Sequence, residues 1–475
     1  MKTAPDEFSE KIMNKPREIL SEDNSIIKDE YNLRSFLSIL SDKNELLVID
    51  KEIKTKFQLA SIVAKFDKKE AILFTNVENK KFKVVANILG TRNRFYYGIK
   101  ANTCNNNKID FSNLSNINKE SYPVKTSLDA PFHKNNSNNL FDLPIITHFE
   151  KDAGPFVTSS IIYAKDRETN SQNSSTHRML LLNSREMAIR MVEGRHLHKC
   201  FTYAKEHNED LKINVVIGVH PAVNLAAAYQ AAYGIDETSI ANHLLDGNLE
   251  LTKNHFSQLM IPTHSEIVLE GKILYDKFAE EWMVEMLRTY DFKRKQPIFE
   301  INKIWYRNDP IYYDILPGYT EHRLLMGLPI ESKIFGSVKN TVPTARSVHL
   351  TDGGSNWLNA VIQIKKRLEG EPKNAILTAF SAHPSLKMAI VVDEDINPEE
   401  PTEVEYAIST RVQADKDILI ITNVKGSSLD PSSDQINLLT TKLGIDATAS
   451  LLKDKERFEI AKIPGLEDID INEFI

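Results

Sequence analysis

The chain has 475 residues, 41% hydrophobic and 26% charged, with a net charge of −7. That composition belongs to a globular protein with two or three sizeable cores. The acidic balance argues against general nucleic-acid binding and is compatible with one local basic pocket for an anionic small molecule. Cys104 and Cys200 are the two cysteines. They form neither a CxxC motif nor a disulfide framework, so a reducing, cytoplasmic setting is expected. No apolar run reaches the ~18 residues of a membrane span, so no membrane insertion is expected.

Residues 1–28 lack a hydrophobic leader core and read as a polar, disordered tail rather than a signal peptide. Leu33, Phe36, Leu37 and Leu40 then recur at helical spacing. A strand over 45–50, a helix over 57–66 and strands over 71–77 and 82–88 complete an N-terminal α/β domain, 29–130. The stretch 101–141 is rich in Asn, Ser and Lys and reads as a linker or long surface loop. From Gly154 short strands take over, at 157–164, 178–183, 187–192, 213–219, 265–274 and 299–306. Helices are expected at 196–206 and at 221–232, the latter with Pro221 at its first position. Short strands with inserted helices predict a partly open antiparallel barrel, 131–330. Residues 308–323 read as a loop. Strands at 357–364, 388–395 and 417–422 then alternate with helices at 372–382 and 401–411, which predicts a parallel sheet in a C-terminal α/β domain, 331–475. Residues 424–475 read as loops, a short helical piece and a polar tail.

The sequence contains no GxxxxGK[ST], GxGxxG, HExxH or GxSxG motif. Its chemistry is concentrated in two stretches. Asn173, His196 and Glu237 supply an amide oxygen, an imidazole and a carboxylate, a set suited to Mn²⁺ or Mg²⁺ bridging to a phosphate. Singly, each is as well explained by a structural role. Arg178 follows Asn173 by five residues, an offset that on one strand puts the two on opposite faces. The second stretch, Ala279-Glu-Glu-Trp-Met-Val-Glu285, reads either as a solvated helix face or as a carboxyl group beside Trp282 and Met283. Apolar surroundings raise a carboxyl pKa and make a general acid usable near neutral pH. A nearby Arg178 holds a second carboxylate ionised, which separates acid and base roles.

These residues carry a resemblance. NSSTHR (173–178), His196 eighteen residues after Arg178, GIDE (234–237) and SEIVLEG (265–271) resemble the UbiD family of decarboxylases. GPFVTS (154–159), IGVHPA (217–222), YRNDPIY (306–312) and LPGYTEHRLLMGLP (316–329) extend the similarity over nearly the whole chain. KNAILTAFSAHPSLK (373–387) and GSSLDPSSD (426–434) resemble the branch of archaeal anhydromevalonate phosphate decarboxylases.

The resemblance implies a central split barrel that binds prenylated FMN, supplied by a flavin prenyltransferase, and a C-terminal domain that mediates homo-oligomerisation. It implies that Asn173, His196 and Glu237 bind a divalent ion, Mn²⁺ or Mg²⁺, holding the flavin phosphate with K⁺ close by. It places Thr158, Ser159, Thr176, His177, Arg178, Arg195 and Lys387 among the cofactor contacts. Arg178, Glu285 and either Glu280 or Glu281 would form the catalytic Glu–Arg–Glu network. The implied reaction converts trans-anhydromevalonate 5-phosphate, a phosphorylated unsaturated acid, to isopentenyl phosphate and CO₂ in a variant mevalonate pathway. The alternatives are another α,β-unsaturated or aromatic acid, or a paralogue that binds cofactor without turnover. One departure stands out: the family's Glu-Gly-Pro-Phe-x-Glu/Asp is here Glu-Glu-Trp-Met-Val-Glu (280–285). Losing Gly and Pro predicts a helix-prone segment in place of a rigid loop.

Overall fold

The computed structural model describes residues 31–99, 104–105, 108–109, 122–461, 463–465 and 469. The expected tail over 1–28 lies outside them, as does most of 101–121. Two compact units divide between Ser332 and Lys333.

In the first unit the strands are, in order, β1 (Leu46–Ile49), β2 (Ala71–Phe74), β3 (Lys83–Ala86), a hairpin of β4 (Cys104–Asn105) and β5 (Lys108–Ile109), β6 (Lys125–Ser127) and β7 (Asn135–Ser137). There follow β8 (Phe156–Val157), β9 (Ile161–Lys165), β10 (Gln172–Thr176), β11 (Met179–Leu181), β12 (Glu186–Ile189) and β13 (Leu211–Ile217). The last are β14 (Glu250–Lys253), β15 (Met260–Pro262), β16 (Ile267–Glu281), β17 (Arg294–Tyr306) and β18 (Ile311–Asp314).

Among the described residues, a nine-stranded sheet runs β10-β9-β13-β16-β17-β12-β11-β8, with β7 added on β17. Every pairing in it is antiparallel, the pattern of the expected split barrel. The 15-residue β16 and the 13-residue β17 form its longest ribbon. Gly271 lets them approach closely: a Cβ there would stand 2.3 Å from the Glu300 carbonyl oxygen. The far end of the ribbon pairs Glu281 with Arg294.

Two sequence expectations change in this unit. The second part of the supposed linker is structured: β6 pairs in parallel with β14, and β7 pairs with β17. Their side chains are polar, so backbone pairing rather than alternation creates them. The supposed loop 308–323 contains β18, which pairs in parallel with β3 and completes the sheet β1-β2-β3-β18. Ile311, Tyr312 and Tyr313 are at most 1% exposed there. Asp309, at φ 45°, and Pro310 disguise the strand as a turn.

The helix Leu33–Asp42 starts at a capping box in which Asn32 Oδ1 accepts the Ser35 N–H at 2.9 Å. The helix His196–Glu206 has the predicted bounds, with Leu197, Cys200, Phe201 and Ala204 buried. The helix Thr320–Thr341 was masked by its interior Pro329. In its first turn Glu321 accepts the N–H groups of Asn87 (2.9 Å) and Leu89 (2.7 Å) and the Tyr313 hydroxyl (2.9 Å). Burial pushes its carboxyl up to about 7.

The second unit contains β19 (Ala345–Leu350), β20 (Asn359–Ile364), β21 (Met388–Val392), β22 (Ile418–Lys425) and β23 (Leu439–Ala447), in the order β19-β20-β21-β23-β22. The sheet is mixed rather than parallel: its two outer pairings are antiparallel. β23 falls where a loop was expected. Lys442 breaks its apolar pattern, yet the side chain is buried, donating to the Pro384 and Leu386 carbonyls at 2.6 Å each.

Candidate active site

Asn173 sits on β10, which pairs with β9 so that Asn173 lies opposite Ala164. Glu237 is the first residue of the helix Glu237–Leu244, fixed there by Asp236, whose side chain caps the Thr238 N–H at 2.9 Å. Burial, with the Glu237 charge, pushes Asp236 up to about 6. The Glu237 carboxylate meets Asn173 Nδ2 at 3.0 and 3.1 Å and accepts the Ser174 N–H at 2.9 Å. His196 Nδ1 lies 3.5 Å from Glu237 and 3.4 Å from Asn173 Nδ2.

Three donors 3.0–3.5 Å apart match the edge of an octahedral shell with bonds of about 2.1–2.4 Å. The donor set therefore fits a hard divalent cation, with the Asn173 amide turned to present its oxygen. Among the described residues, no three His, Cys, Asp or Glu side chains form a metal cluster on their own. The Asn173 amide would be the third ligand of such a cation.

Arg178 lies between β10 and β11, beyond the end of Asn173's strand. Its guanidinium grips Glu281 in bidentate fashion, Nε–Oε1 at 2.6 Å and Nη2–Oε2 at 3.1 Å. Nη1 bonds Glu285, and Nη2 reaches Asp291 at 3.3 Å. Arg294 (3.1 Å) and Arg190 (3.6 Å) share Asp291. The Glu281 side chain is fully buried, whereas that of Glu285 is 19% exposed. Burial pushes the Glu285 carboxyl up, Arg178 opposes this, and Asp291 and Glu281 add to it. Asp291 is held below its ordinary value by the Arg294 hydrogen bond and by the charges of Arg178 and Arg190, against its own burial. Of the two candidates, Glu281 meets Arg178, and Glu280, its neighbour on the strand, is exposed.

The segment carrying Glu285 is not helical. β16 ends at Glu281, and the chain turns back through a bridge between Val284 and Tyr290. Tertiary contacts override helix propensity here. Met283 packs with Phe156, Leu180 and Ala188, a burial worth about 1.5–3 kcal/mol. Asp152 accepts the Val284 N–H (3.1 Å), Ala153 donates to the Trp282 carbonyl (3.1 Å), and Trp282 Nε1 donates to the Lys151 carbonyl (2.8 Å). Gly318, at φ 75°, passes under this turn; a Cβ there would stand 2.5 Å from Arg288 Cγ and 2.9 Å from the Glu285 carbonyl oxygen. The Gly318 N–H donates to His322 Nδ1 at 3.0 Å. Burial, then the charges of Arg178 and Arg323, pushes His322 down to about 4, so the ring is neutral. Side-chain clamps thus fix the course of the turn after β16.

The other predicted contacts are distributed as follows. The Thr158 hydroxyl bonds Asp314 and the Ile315 N–H at 3.1 Å each, and the Ser159 hydroxyl donates to the Tyr313 carbonyl. Thr176 is half-buried on β10 opposite Ile161. Both nitrogens of His177 are engaged, Nδ1 with the Arg190 carbonyl and Nε2 with Ser175 Oγ, at 2.8 Å each. Burial pushes His177 down to about 4. Arg195 is exposed and precedes the helix of His196. Lys387 belongs to the second unit, where it pairs with Asp430 at 2.7 Å. Sequence reading missed four site residues: Asp291 and Arg294 join through the β16–β17 ribbon and its turn, Arg190 through the β11–β12 hairpin, where its N–H donates to the Arg178 carbonyl at 3.1 Å, and His322 through the 316–323 turn.

Residues 37–108, 122–320 and 323–447 match the N-terminal, Rift-related and C-terminal domains of 3-octaprenyl-4-hydroxybenzoate carboxy-lyase, respectively. The anhydromevalonate phosphate decarboxylase of Methanocaldococcus jannaschii is 42% identical over 88% of this chain and 97% of its own length. That of Methanothermobacter thermautotrophicus is 38% identical over 90% and 99%. The UbiD-class enzyme HmfF from Pelotomaculum thermopropionicum, solved in complex with FMN, superimposes with a TM-score of 0.89 at 35% identity, over 94% of this chain and 100% of that one. With an antiparallel split barrel, an arginine gripping two glutamates and these relatives, the chain belongs to the UbiD family of carboxy-lyases.

Proposed function

We propose that this protein decarboxylates trans-anhydromevalonate 5-phosphate to isopentenyl phosphate, with prenylated FMN as cofactor. Five archaeal relatives at 34–42% identity bear that activity in their names, and a second structure of HmfF is in complex with prFMN. The observation that carries the reading is the Glu281–Arg178–Glu285 triad, assembled despite the altered sequence of its loop.

When bound, the prenylated flavin supplies an electron sink for the carbon that loses CO₂. Asn173, His196 and Glu237 would hold a divalent ion, Mn²⁺ or Mg²⁺, which would supply positive charge for the flavin phosphate, and K⁺ would be a further cofactor. Arg178 stays cationic, locked by Glu281, and orients Glu285. As the C–C bond to the carboxylate breaks, its electron pair stays with the substrate carbon. Glu285, whose carboxyl burial shifts toward the protonated form, delivers a proton to that carbon. Its exposed edge allows reprotonation from water.

This reading places the enzyme in isoprenoid biosynthesis in the cytoplasm, as a homo-oligomer dependent on a flavin prenyltransferase. No described helix is long and apolar enough to cross a membrane. It also divides the chain at 29–130, 131–330 and 331–475, with the last part mediating self-association. Protein co-expressed with a flavin prenyltransferase should form isopentenyl phosphate from the proposed substrate. Turnover of an aromatic acid but not of this substrate would overturn the assignment.

A further inference from the structure

His196 is the least buried of the three donors: its side chain is 23% exposed, against 3% for Glu237. A ligating histidine is ordinarily oriented by a hydrogen bond to its second ring nitrogen. Here Nδ1 faces Asn173 and Glu237, and no hydrogen bond reaches Nε2 among the described residues. What meets the ring instead is Tyr233, edge-on, with centroids 5.5 Å apart and planes at 68°.

Tyr233 is itself held by two further side chains. Its hydroxyl donates to Glu168 at 3.2 Å, on the turn joining β9 to β10. Lys199, three residues beyond His196 on the same helix, sets its ammonium 3.9 Å from the Tyr233 ring centroid. Tyr233 stands at the tip of the connection 229–236, where Gly234 turns the chain at φ 87°. Two residues after that turn the chain reaches Asp236 and Glu237. One short connection therefore carries both the third donor and the ring that braces the second. A tyrosine 41% exposed to solvent has little core packing to explain three such contacts.

We propose that Tyr233 is a positioning residue that orients the His196 imidazole for a divalent cation, acting as the latch of a strap over 229–236. The inference rests on the reading of Asn173, His196 and Glu237 as a cation and flavin-phosphate anchor. Edge-to-face aromatic contact restrains the ring plane, and the Glu168 and Lys199 contacts keep the strap seated. Loss of the ring frees the imidazole to rotate, and ordering it again on binding costs affinity.

The test is Mn²⁺ binding in the presence of FMN, read by the electron paramagnetic resonance signal of free Mn²⁺. Wild type, Tyr233→Ala, Tyr233→Leu, Tyr233→Phe and His196→Ala are compared. Tyr233→Ala and Tyr233→Leu should weaken Mn²⁺ binding about 3- to 10-fold, and Tyr233→Phe less than about twofold, because it keeps the ring edge. The leucine variant preserves bulk, so its loss separates orientation from collapse of the strap. Wild-type affinity in Tyr233→Ala or Tyr233→Leu overturns the proposal, as does a Tyr233→Phe defect as large as that of alanine. Undiminished Mn²⁺ binding by His196→Ala removes the anchor reading itself and the proposal with it.

Discussion

Replacing Arg178 by methionine removes the charge from the centre of the site while keeping much of the side-chain volume. Its consequences differ among the three carboxylates. Asp291 keeps Arg294 at 3.1 Å and Arg190 at 3.6 Å. Glu285 is already raised by burial and can carry a proton. Glu281 alone is stranded: its side chain is fully buried, and Arg178 is its only ion-pair partner among the described residues. Removing one member of a buried pair costs about 3–5 kcal/mol, because the remaining charge is left uncompensated. At about 1.5–2 °C per kcal/mol for a unit of 332 residues, Arg178→Met should lower the melting midpoint by roughly 5–10 °C. The double variant Arg178→Met/Glu281→Gln leaves no stranded charge and should recover most of the loss. Arg457→Met is the control, since Arg457 and its partner Asp454 have side chains 71% and 81% exposed, and surface pairs contribute about 0–1 kcal/mol. Circular dichroism melts of the cofactor-free proteins decide the matter. A shift in Arg178→Met no larger than in Arg457→Met, or a double variant as unstable as the single, refutes the reasoning.

Glu281→Gln should abolish most turnover while Glu280→Gln, at an exposed position, leaves product formation near wild type; equal effects would show that Arg178 does not discriminate between them. Gly318→Ala puts a methyl group 2.9 Å from the Glu285 carbonyl oxygen at φ 75°. It should cost about 1–3 kcal/mol and lower kcat more than flavin affinity, as measured by steady-state kinetics and flavin titration. Glu321, raised to about 7 from 4.5, favours folding while protonated. That contribution is complete below pH 4.5 and is lost as pH rises through 7, about 3 kcal/mol in all. Glu321→Gln should therefore flatten the fall of the melting midpoint between pH 5 and 8; an unchanged slope would contradict this.

The parts of the fold that were legible in the sequence are those where side-chain pattern and burial coincide. The helix His196–Glu206 shows an unbroken apolar face and was read at its observed bounds. β6, β7 and β10 are polar strands whose existence depends on backbone pairing with distant partners, which no local pattern reveals. β18 was hidden by the turn signals before it, and β23 by Lys442, whose ammonium is satisfied by carbonyl groups inside the protein. The same division holds in the site. Arg178, His196 and Glu237 stand in recognisable motifs, whereas Asp291 and Arg294 enter only because β16, β17 and the turn between them bring the partners together. The segment 280–285 is helix-prone by local propensity yet forms the end of β16 and a turn, for a related reason. Met283 burial and the Asp152 and Lys151 contacts fix its course, and those partners lie about 130 residues away in sequence.

The central claim is that Glu285 delivers the proton to the carbon that loses CO₂. The direct measurement is isopentenyl phosphate formation by Glu285→Gln and wild type, compared at equal bound prenylated flavin and across pH. Glutamine keeps the hydrogen-bonding shape and removes the acid, so flavin binding should persist while turnover falls about 10²- to 10⁴-fold. Because burial raises the Glu285 pKa, wild-type kcat should fall as pH rises through that raised value, and the residual rate of Glu285→Gln should lack this limb. A Glu285→Gln enzyme that turns over at the wild-type rate, or that keeps the same alkaline limb, would contradict the account.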